Sequence, residues 1–124
     1  MNENKTVLKD KSFAFALRCV NLYKYLNDSK REFVLIKQLI RSGTSVGANI
    51  REAQNAESNA DYIHKFSIAQ KECDETIYWL ELLLAANYLT QQEFESIHTE
   101  ANELLQMLRS AILTLKQKNL EITK

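Results

Sequence analysis

The sequence predicts an all-α protein, an antiparallel up-down-up-down four-helix bundle, from three observations. The chain has no proline and only two glycines, so the usual breaks between short elements are missing. Apolar residues recur at alternating spacings of three and four, which is the seam pattern of packed helices. No stretch alternates apolar and polar residues for long, so strands are not indicated. We expect residues 1–124 to form a single domain with frayed termini.

The first two helices are predicted over residues 7–28 and 31–57. Residues 27–29 are Asn, Asp and Ser, which favour a turn at the end of the first helix. Its predicted core stripe comprises Phe13, Ala16, Val20 and Tyr23, widened by Leu17 and Leu26. The predicted stripe of the second helix comprises Ile36, Leu39, Gly43, Val46, Ile50 and Ala53.

The third and fourth helices are predicted over residues 59–86 and 91–119. Ser58 or Asn59 is expected to cap the third helix, and Thr90 with Glu93 forms a capping box before the fourth. The connections are short, so successive helices run antiparallel. The two predicted stripes are Ile63, Phe66, Gln70, Cys73, Ile77, Leu80 and Leu84, and then Phe94, Ile97, Ala101, Leu104, Leu108, Ala111 and Leu115.

Several apolar or small residues do not fit one stripe, and helix 3 is apolar nearly all round over residues 77–86. One interpretation is a wide core face with aromatic rings along the surface. The other is a subunit interface, because contiguous exposed apolar area normally marks association. The residues predicted for such an interface are Gly47, Tyr62, Tyr78, Trp79 and Leu82.

Charge is balanced overall but unevenly placed. Residues 1–51 carry ten Lys and Arg against four Asp and Glu, a net charge of +6, whereas residues 52–124 carry six against twelve, a net charge of −6. Three interpretations remain open: a solvated surface, electrostatic matching between subunits, and a nucleic-acid face. A neutral chain lacks the excess positive charge of a strong phosphate binder. The residues predicted to contact nucleic acid or a partner are Lys24, Lys30, Arg31, Lys37 and Arg41.

Catalytic and metal chemistry is not indicated. Asp61 with His64 and Glu95 with His98 resemble the carboxylate–histidine pairs of bundle metal sites. In antiparallel helices, however, residue 98 lies level with about residue 80, which separates the pairs by about 24 Å. There is no glycine-rich phosphate loop. We therefore expect a non-enzymatic protein with no cofactor, no metal and no small-molecule substrate.

Polar residues on or beside the predicted stripes indicate a structural hydrogen-bond network, because buried polar groups need partners. Its predicted members are Ser45, Asn49, Glu52 and Gln70. The two cysteines, Cys19 and Cys73, have no metal-ligand spacing and are expected to be free core thiols. No membrane span or signal peptide is indicated, so the sequence predicts a cytoplasmic protein with no membrane partner.

Three segments carry a resemblance to a known family. Residues 41–53 read RSGTSVGANIREA, residues 60–66 read ADYIHKF and residues 72–82 read ECDETIYWLEL. Together they resemble the bacterial four helix bundle proteins, also labelled 23S rRNA intervening-sequence proteins, over nearly the whole chain. Many relatives have Gly where this chain has Ala53.

The resemblance implies a left-handed up-down bundle and a ring-like homo-oligomer, expected to be a pentamer, without catalytic residues. A related, strongly basic branch of the family serves diversity-generating retroelements, whereas this chain is neutral. The leading functional hypothesis is therefore a non-enzymatic homo-oligomeric interaction or scaffold module. The alternative is an RNA-binding or ribosome-associated protein that uses the basic surface of helices 1 and 2.

Overall fold

The computed structural model describes the backbone of residues 3–123 and the side chains of residues 7–118 and 120. It confirms the all-α prediction, with no strand among the described residues. The first helix, α1, spans Glu3–Tyr25 and continues into a π-helical turn at Leu26–Lys30. The other three are α2 at Leu35–Ala53, α3 at Asn59–Ala85 and α4 at Gln91–Thr123.

Neighbouring helices run antiparallel and close a four-sided bundle. In every pair of contacting helices, rising residue numbers on one helix meet falling numbers on the other. The pairs that show this are Ser12–Gly47 and Cys19–Gly43 for α1 and α2, Ser42–Thr76 and Glu52–Lys65 for α2 and α3, Cys73–Ala101 and Glu81–His98 for α3 and α4, and Lys11–Glu103 and Arg18–Ser96 for α1 and α4.

The predicted core stripe of α1 is partly wrong. Phe13 and Leu17 lie on the outside of the bundle, 61% and 54% exposed, whereas Phe15 is only 1% exposed. Two residues turn a helix by about 200°, so Phe15 and Leu17 cannot face the same way. The residues that α1 buries are Leu8, Ser12, Phe15, Cys19 and Leu26, with Leu22 and Tyr23 packed beside them.

Small side chains explain why this face of α1 points inward. A Cβ atom added to Gly43 would lie 2.5 Å from Cys19 Sγ, and one added to Gly47 would lie 3.3 Å from Ser12 Oγ. The α1 and α2 backbones therefore approach closely where glycines meet short side chains. The alternative face of α1, which carries Phe13 and Leu17, is too bulky for this approach.

The other predicted stripes are largely confirmed. In α2 all six predicted residues are buried, together with Ser42. In α3, Phe66, Cys73, Ile77 and Leu80 are buried as predicted, whereas Ile63, Gln70 and Leu84 are half-buried. The buried residues of α3 that the prediction missed are Ala69, Thr76 and Leu83. The buried residues of α4 that were predicted are Phe94, Ile97, Ala101, Leu104 and Leu108.

Helix α2 begins at Leu35, four residues later than predicted, because Glu32 caps it. The carboxylate of Glu32 accepts hydrogen bonds from the backbone N–H groups of Val34, Leu35 and Ile36, at 3.2, 3.0 and 2.9 Å. These donors have no partner within a helix, and a negative charge is favoured at a helix N-terminus. Arg31, with φ of 53°, turns the chain out of the π-helical turn just before this cap.

The predicted capping box of α4 is confirmed. The N–H of Glu93 donates to Thr90 Oγ1 at 3.1 Å, and the N–H of Thr90 donates to a Glu93 carboxylate oxygen at 2.9 Å. The backbone hydrogen bond from Thr90 is the main cause that lowers the pKa of Glu93, assisted by the side chains of Tyr25 and Thr90 and by the charge of Lys30. At the start of α3, Ser58 accepts from the N–H of Asp61, as predicted.

Removal of the capping box is expected to destabilise the protein moderately. Thr90→Ala should lower the free energy of unfolding by about 1 kcal/mol.

The contribution of Glu93 to stability should depend on pH. Because the folded state lowers the pKa of Glu93, the stabilisation by its carboxylate is present above the unfolded pKa of about 4.3 and is lost as pH falls below it. The stability difference between wild type and Glu93→Ala should therefore shrink on acidification. Urea unfolding at neutral and acidic pH measures this, with Glu95→Ala as control; a difference that stays constant would contradict it.

Candidate interaction surfaces

The outer side of α1 carries an apolar row that the core does not use. Phe13, Leu17 and Val20, here called the outer stripe, follow one another at spacings of four and three, which places them on one helix face. Phe13 and Leu17 are more than half exposed and Val20 is half-buried. Exposed Lys9 and Lys24 continue the same row at its two ends. The row is an apolar surface bounded by cations.

A second surface lies where the π-helical turn leads into α2. Lys24, Lys30, Arg31 and Lys37 are all exposed there, and between them Phe33 and Val34 are 44% and 73% exposed. The guanidinium of Arg31 lies over the ring of Phe33, 5.7 Å from its centroid. These six residues are called the basic tip. The sequence analysis predicted the four cations of the basic tip but not the exposed Phe33. The position of Phe33 between cations in the sequence could have indicated that its ring is exposed.

Arg41, the fifth predicted basic contact, lies apart from the basic tip on the α2–α3 side. Its guanidinium forms ion pairs with Glu72, at 3.2 Å, and with Glu75. The indole N–H of Trp79 donates to the same Glu75 carboxylate at 2.9 Å. The charge of Arg41 is thus matched within the chain, which leaves less of it for an external phosphate.

Of the five residues predicted for a subunit interface, the structure brings Tyr78 and Trp79 together on α3, with their rings in edge contact at 5.0 Å. Gly47 faces Ser12 of the same chain, and Tyr62 is half-buried and stacked on Phe66 at 4.9 Å. Trp79 and Leu82 are half-buried along α3. Tyr78 is 55% exposed, on the outer side of α3 beside exposed Asp74 and Glu81. Their role in an interface remains a prediction.

The four residues of the predicted polar network do not bond to one another's side chains. Ser45 Oγ donates to the carbonyl of Arg41, and Asn49 Nδ2 donates to the carbonyl of Ser45. Glu52 pairs with Lys65 at 3.4 Å, and Gln70 is half-buried on α3. The first two bonds hold side chains against their own helix, a common role of Ser and Asn.

A buried polar contact between α2 and α3 involves two residues that the sequence analysis did not predict. Thr76 Oγ1 of α3 lies 2.8 Å from Ser42 Oγ of α2 and 2.7 Å from the carbonyl of Glu72. Ser42 Oγ also lies 3.3 Å from the carbonyl of Leu39. Each hydroxyl has one proton, so one hydroxyl donates to a backbone carbonyl and the other completes the pair. Both residues are fully buried, which makes this contact part of the α2–α3 packing.

An elongated cleft of about 670 Å³ opens between α1, the start of α3 and the second half of α4. Its inner wall includes Leu8 and Phe66, which are each only 2% exposed. Tyr62, which the sequence placed in an interface, forms part of the same wall. Its remaining lining residues are Lys11, Glu103, Gln106, Met107, Ser110, Ala111, Thr114, Leu115 and Lys118.

The two thiols and the imidazole that lie in the bundle take part in its packing. Cys19 and Cys73 are free and buried, and burial raises the pKa of each thiol to about 12, so neither forms a thiolate at neutral pH. His98 stacks on Phe94 and lies 3.9 Å from Glu81, close to the level predicted for it. In the part of the chain that the structure describes, no three His, Cys, Asp or Glu side chains converge as a metal site.

Comparison with known proteins places the chain in a family. A model of the family described as 23S rRNA-intervening sequence protein matches residues 4–110. The chain belongs to the 23S rRNA-intervening sequence protein family. The resemblance noted in residues 41–53, 60–66 and 72–82 is thereby confirmed. No curated protein matches the chain significantly.

A solved structure from the same group of proteins has the same fold. It is a crystal structure of a protein with unknown function from the S23 ribosomal protein family of Bacteroides thetaiotaomicron. That protein is 53% identical to this chain, with a TM-score of 0.87, and the match covers 88% of this chain and 97% of the other. None of the described helices of this family member is long and apolar enough to cross a membrane.

Proposed function

We propose that this protein is a non-enzymatic interaction module that assembles from identical copies in the cytoplasm. The observation that carries the proposal is the outer stripe. Phe13 and Leu17 leave a large apolar area exposed on α1, although the same helix has a complete buried face elsewhere. Apolar residues aligned on one exposed face normally mark a protein interface. The resemblance of the sequence to its family implies that the copies form a ring, and we propose a ring of five.

Charge supports a contact between different surfaces of two copies. The outer stripe is flanked by Lys9 and Lys24, whereas Tyr78 on the outer side of α3 is flanked by Asp74 and Glu81. A cationic apolar row complements an anionic surface with an exposed aromatic ring. An interface between two different patches is heterologous, and repetition of such an interface closes a ring when the rotation allows it.

Replacement of Leu17 by glutamate is expected to weaken assembly. The substitution places a charge in the middle of the outer stripe without touching the core, because Leu17 faces away from the buried side of α1. For the wild-type protein at micromolar concentration, light scattering should give the molar mass of an assembly. That mass should be five times the mass of one chain if the assembly is the proposed ring. Leu17→Glu should dissociate at a concentration at least about tenfold higher, a change of about 1.4 kcal/mol.

The matched control is Ala48→Glu, which adds the same charge at an exposed position of α2, away from the outer stripe. It should assemble as wild type does. A wild-type protein that is monomeric at micromolar concentration would remove this proposal.

The second candidate function is RNA binding, which one observation favours. The basic tip interleaves four cations with exposed Phe33, whose ring Arg31 partly covers. Proteins bind single-stranded RNA by pairing cations with phosphates and stacking bases on aromatic rings. Asp28 and Glu93 lie in the same region, so the positive excess is modest.

The RNA hypothesis predicts separate effects for charge and stacking. Binding to an RNA with single-stranded loops should weaken with salt, and Lys37→Ala should reduce the log–log slope by about 0.7. Phe33→Ala should weaken binding by about tenfold without changing the slope, because base stacking is not ionic. Lys71→Ala, exposed on α3, serves as control. If fluorescence anisotropy detects no binding even at low salt, RNA is not a ligand of the basic tip.

A further inference from the structure

Val34, in the basic tip, is the most exposed large apolar residue that the structure describes. It is 73% exposed, and Phe33 beside it is 44% exposed. Neighbouring exposed apolar residues normally mark an interaction site. The RNA hypothesis uses the ring of Phe33 but gives Val34 no role, because an aliphatic side chain has no ring face on which a base can stack. Val34 therefore requires a different explanation.

The local backbone holds Val34 in its exposed position. Glu32 turns inward and is only 6% exposed, and its carboxylate accepts hydrogen bonds from the N–H groups of Val34 and the two residues after it. The N–H of Glu32 itself donates to the carbonyl of Leu26, at 3.1 Å. The carboxylate is thereby withdrawn from the surface, whereas its chain neighbours Arg31 and Phe33 are exposed. The tip consequently presents cations and apolar side chains outward from a bonded backbone.

The surface beside the basic tip, at the same end of the bundle, is uncharged. Thr76 contacts Ser42, so Val34, eight residues before Ser42, lies level with Leu84, eight residues after Thr76. Helix α3 ends at Ala85, and the sequence has no charged residue from 82 to 92. The exposed residues of this stretch are small or polar: Ala85, Ala86, Asn87, Thr90, Gln91 and Gln92. This end of the bundle therefore combines a cationic part with an uncharged part.

The charge of this end is positive. The four cations of the basic tip take part in none of the ion pairs among the described side chains. The carboxylates nearby are Asp28, which is exposed, and Glu93, which serves the capping box. Cations around exposed apolar side chains are typical of proteins that lie on anionic membranes, because the cations are attracted to the lipid phosphates and the apolar side chains enter the boundary of the acyl chains.

We propose that this end of the bundle docks on the surface of an anionic phospholipid bilayer, with Val34 and Phe33 entering the acyl boundary and the four cations on the lipid phosphates. A bilayer accounts for Val34 and for the uncharged α3–α4 connection, which RNA does not. A peripheral contact needs no membrane span or signal peptide, the two features whose absence led to the prediction of no membrane partner. The inference does not rest on assembly, because Phe13 and Leu17 lie along the side of the bundle.

Vesicle flotation tests the docking on the full chain. Wild-type protein should float with vesicles of equal parts phosphatidylglycerol and phosphatidylcholine. It should bind vesicles of phosphatidylcholine alone at least about tenfold more weakly, because the lipid charge is lost. Val34→Ser should weaken binding to the anionic vesicles at least about threefold, because less apolar area enters the bilayer. Val34→Leu, which keeps an apolar side chain, should bind at least as well as wild type.

Leu113→Ser is the matched control for Val34→Ser. Leu113 is 62% exposed and lies 22 residues after the start of α4, which is about 33 Å along the helix from the end that carries the tip. This variant should bind as wild type does. For charge, Lys30→Ala should weaken binding about fivefold, whereas Lys71→Ala, at an exposed position of α3, should not. Circular dichroism confirms that each variant folds.

A parallel titration with single-stranded RNA separates the two ligands of the basic tip. Val34→Ser should leave any affinity for RNA unchanged while it weakens binding to the vesicles. RNA binding without vesicle binding would overturn the proposal by assigning the tip to RNA. Absent binding to anionic vesicles, equal binding to the two lipid compositions, or equal effects of Val34→Ser and Leu113→Ser would also overturn it.

Discussion

Replacement of Phe15 by alanine is expected to lower the free energy of unfolding by about 3–5 kcal/mol, the usual cost of truncating a buried phenylalanine. The same truncation at Phe13 should change it by no more than about 0.5 kcal/mol, as for other surface positions. The two residues share a helix and a side-chain type, but one is 1% exposed and the other 61%. Chemical denaturation of both variants measures the difference directly.

Assembly could mask this contrast, because Phe13 belongs to the outer stripe. Stabilisation by association depends on protein concentration, whereas the contribution of a core side chain does not. The comparison is therefore repeated at two concentrations tenfold apart. Phe15→Ala should lose the same stability at both, and any effect of Phe13→Ala should change between them. Similar losses for the two variants at low concentration would show that the opposite face of α1 is buried.

The sequence was informative about the buried faces of α2 and α4 and ambiguous about that of α1, for a physical reason. Helices α2 and α4 carry one apolar stripe each, so their buried faces follow from periodicity alone. In α1 two apolar rows have helical spacing, one through Phe13 and Leu17 and one through Phe15 and Leu22. Periodicity identifies both rows but does not rank them. The small residues Ser12 and Cys19 decide the matter, because only they leave room for α2.

The start of α4 could be predicted from the sequence because a recognisable capping motif fixes it. The start of α2 could not, because a single acidic side chain outside the helix fixes it. Thr90 and Glu93 form a short-range pattern, and the capping box followed from it. Glu32 caps α2 from outside the helix by bonding three successive N–H groups, which moved the start from 31 to Leu35. An acidic residue before an apolar run is a weak signal by itself, since it fits helix interiors as well.

The candidate surfaces were less predictable than the fold. The basic tip could be identified from the density of cations between residues 24 and 37. The outer stripe could not, because helical periodicity places its three residues on the predicted core stripe of α1. The cleft brings Tyr62 and Phe66 beside Met107, about forty residues away in sequence. That proximity is a property of the tertiary structure.

Gly43→Ala is expected to destabilise the protein by about 2 kcal/mol. The new Cβ would lie 2.5 Å from Cys19 Sγ and 3.1 Å from Cys19 Cβ, in a region where Cys19 is completely buried. Overpacking of a core costs about 1–3 kcal/mol, and the better helix propensity of alanine returns about 1 kcal/mol at most. Gly47→Ala is the matched control on the same helix. The Cβ added at Gly47 would lie 3.3 Å from Ser12 Oγ and 3.4 Å from the Ser12 backbone, a milder overlap than at Gly43, so Gly47→Ala should cost less stability than Gly43→Ala, no more than about 1 kcal/mol.

A double-mutant cycle tests whether the cause is the contact with Cys19. Cys19→Ala removes Sγ, the atom closest to the added Cβ, so Gly43→Ala should cost less in that background than in wild type. Contacting residues show interaction energies of about 0.5–3 kcal/mol in such cycles, whereas independent sites add. Thermal and urea unfolding of the four proteins supply the cycle. Additive effects would mean that α1 does not approach α2 closely at Gly43, and the inward face of α1 would then have to be reassigned.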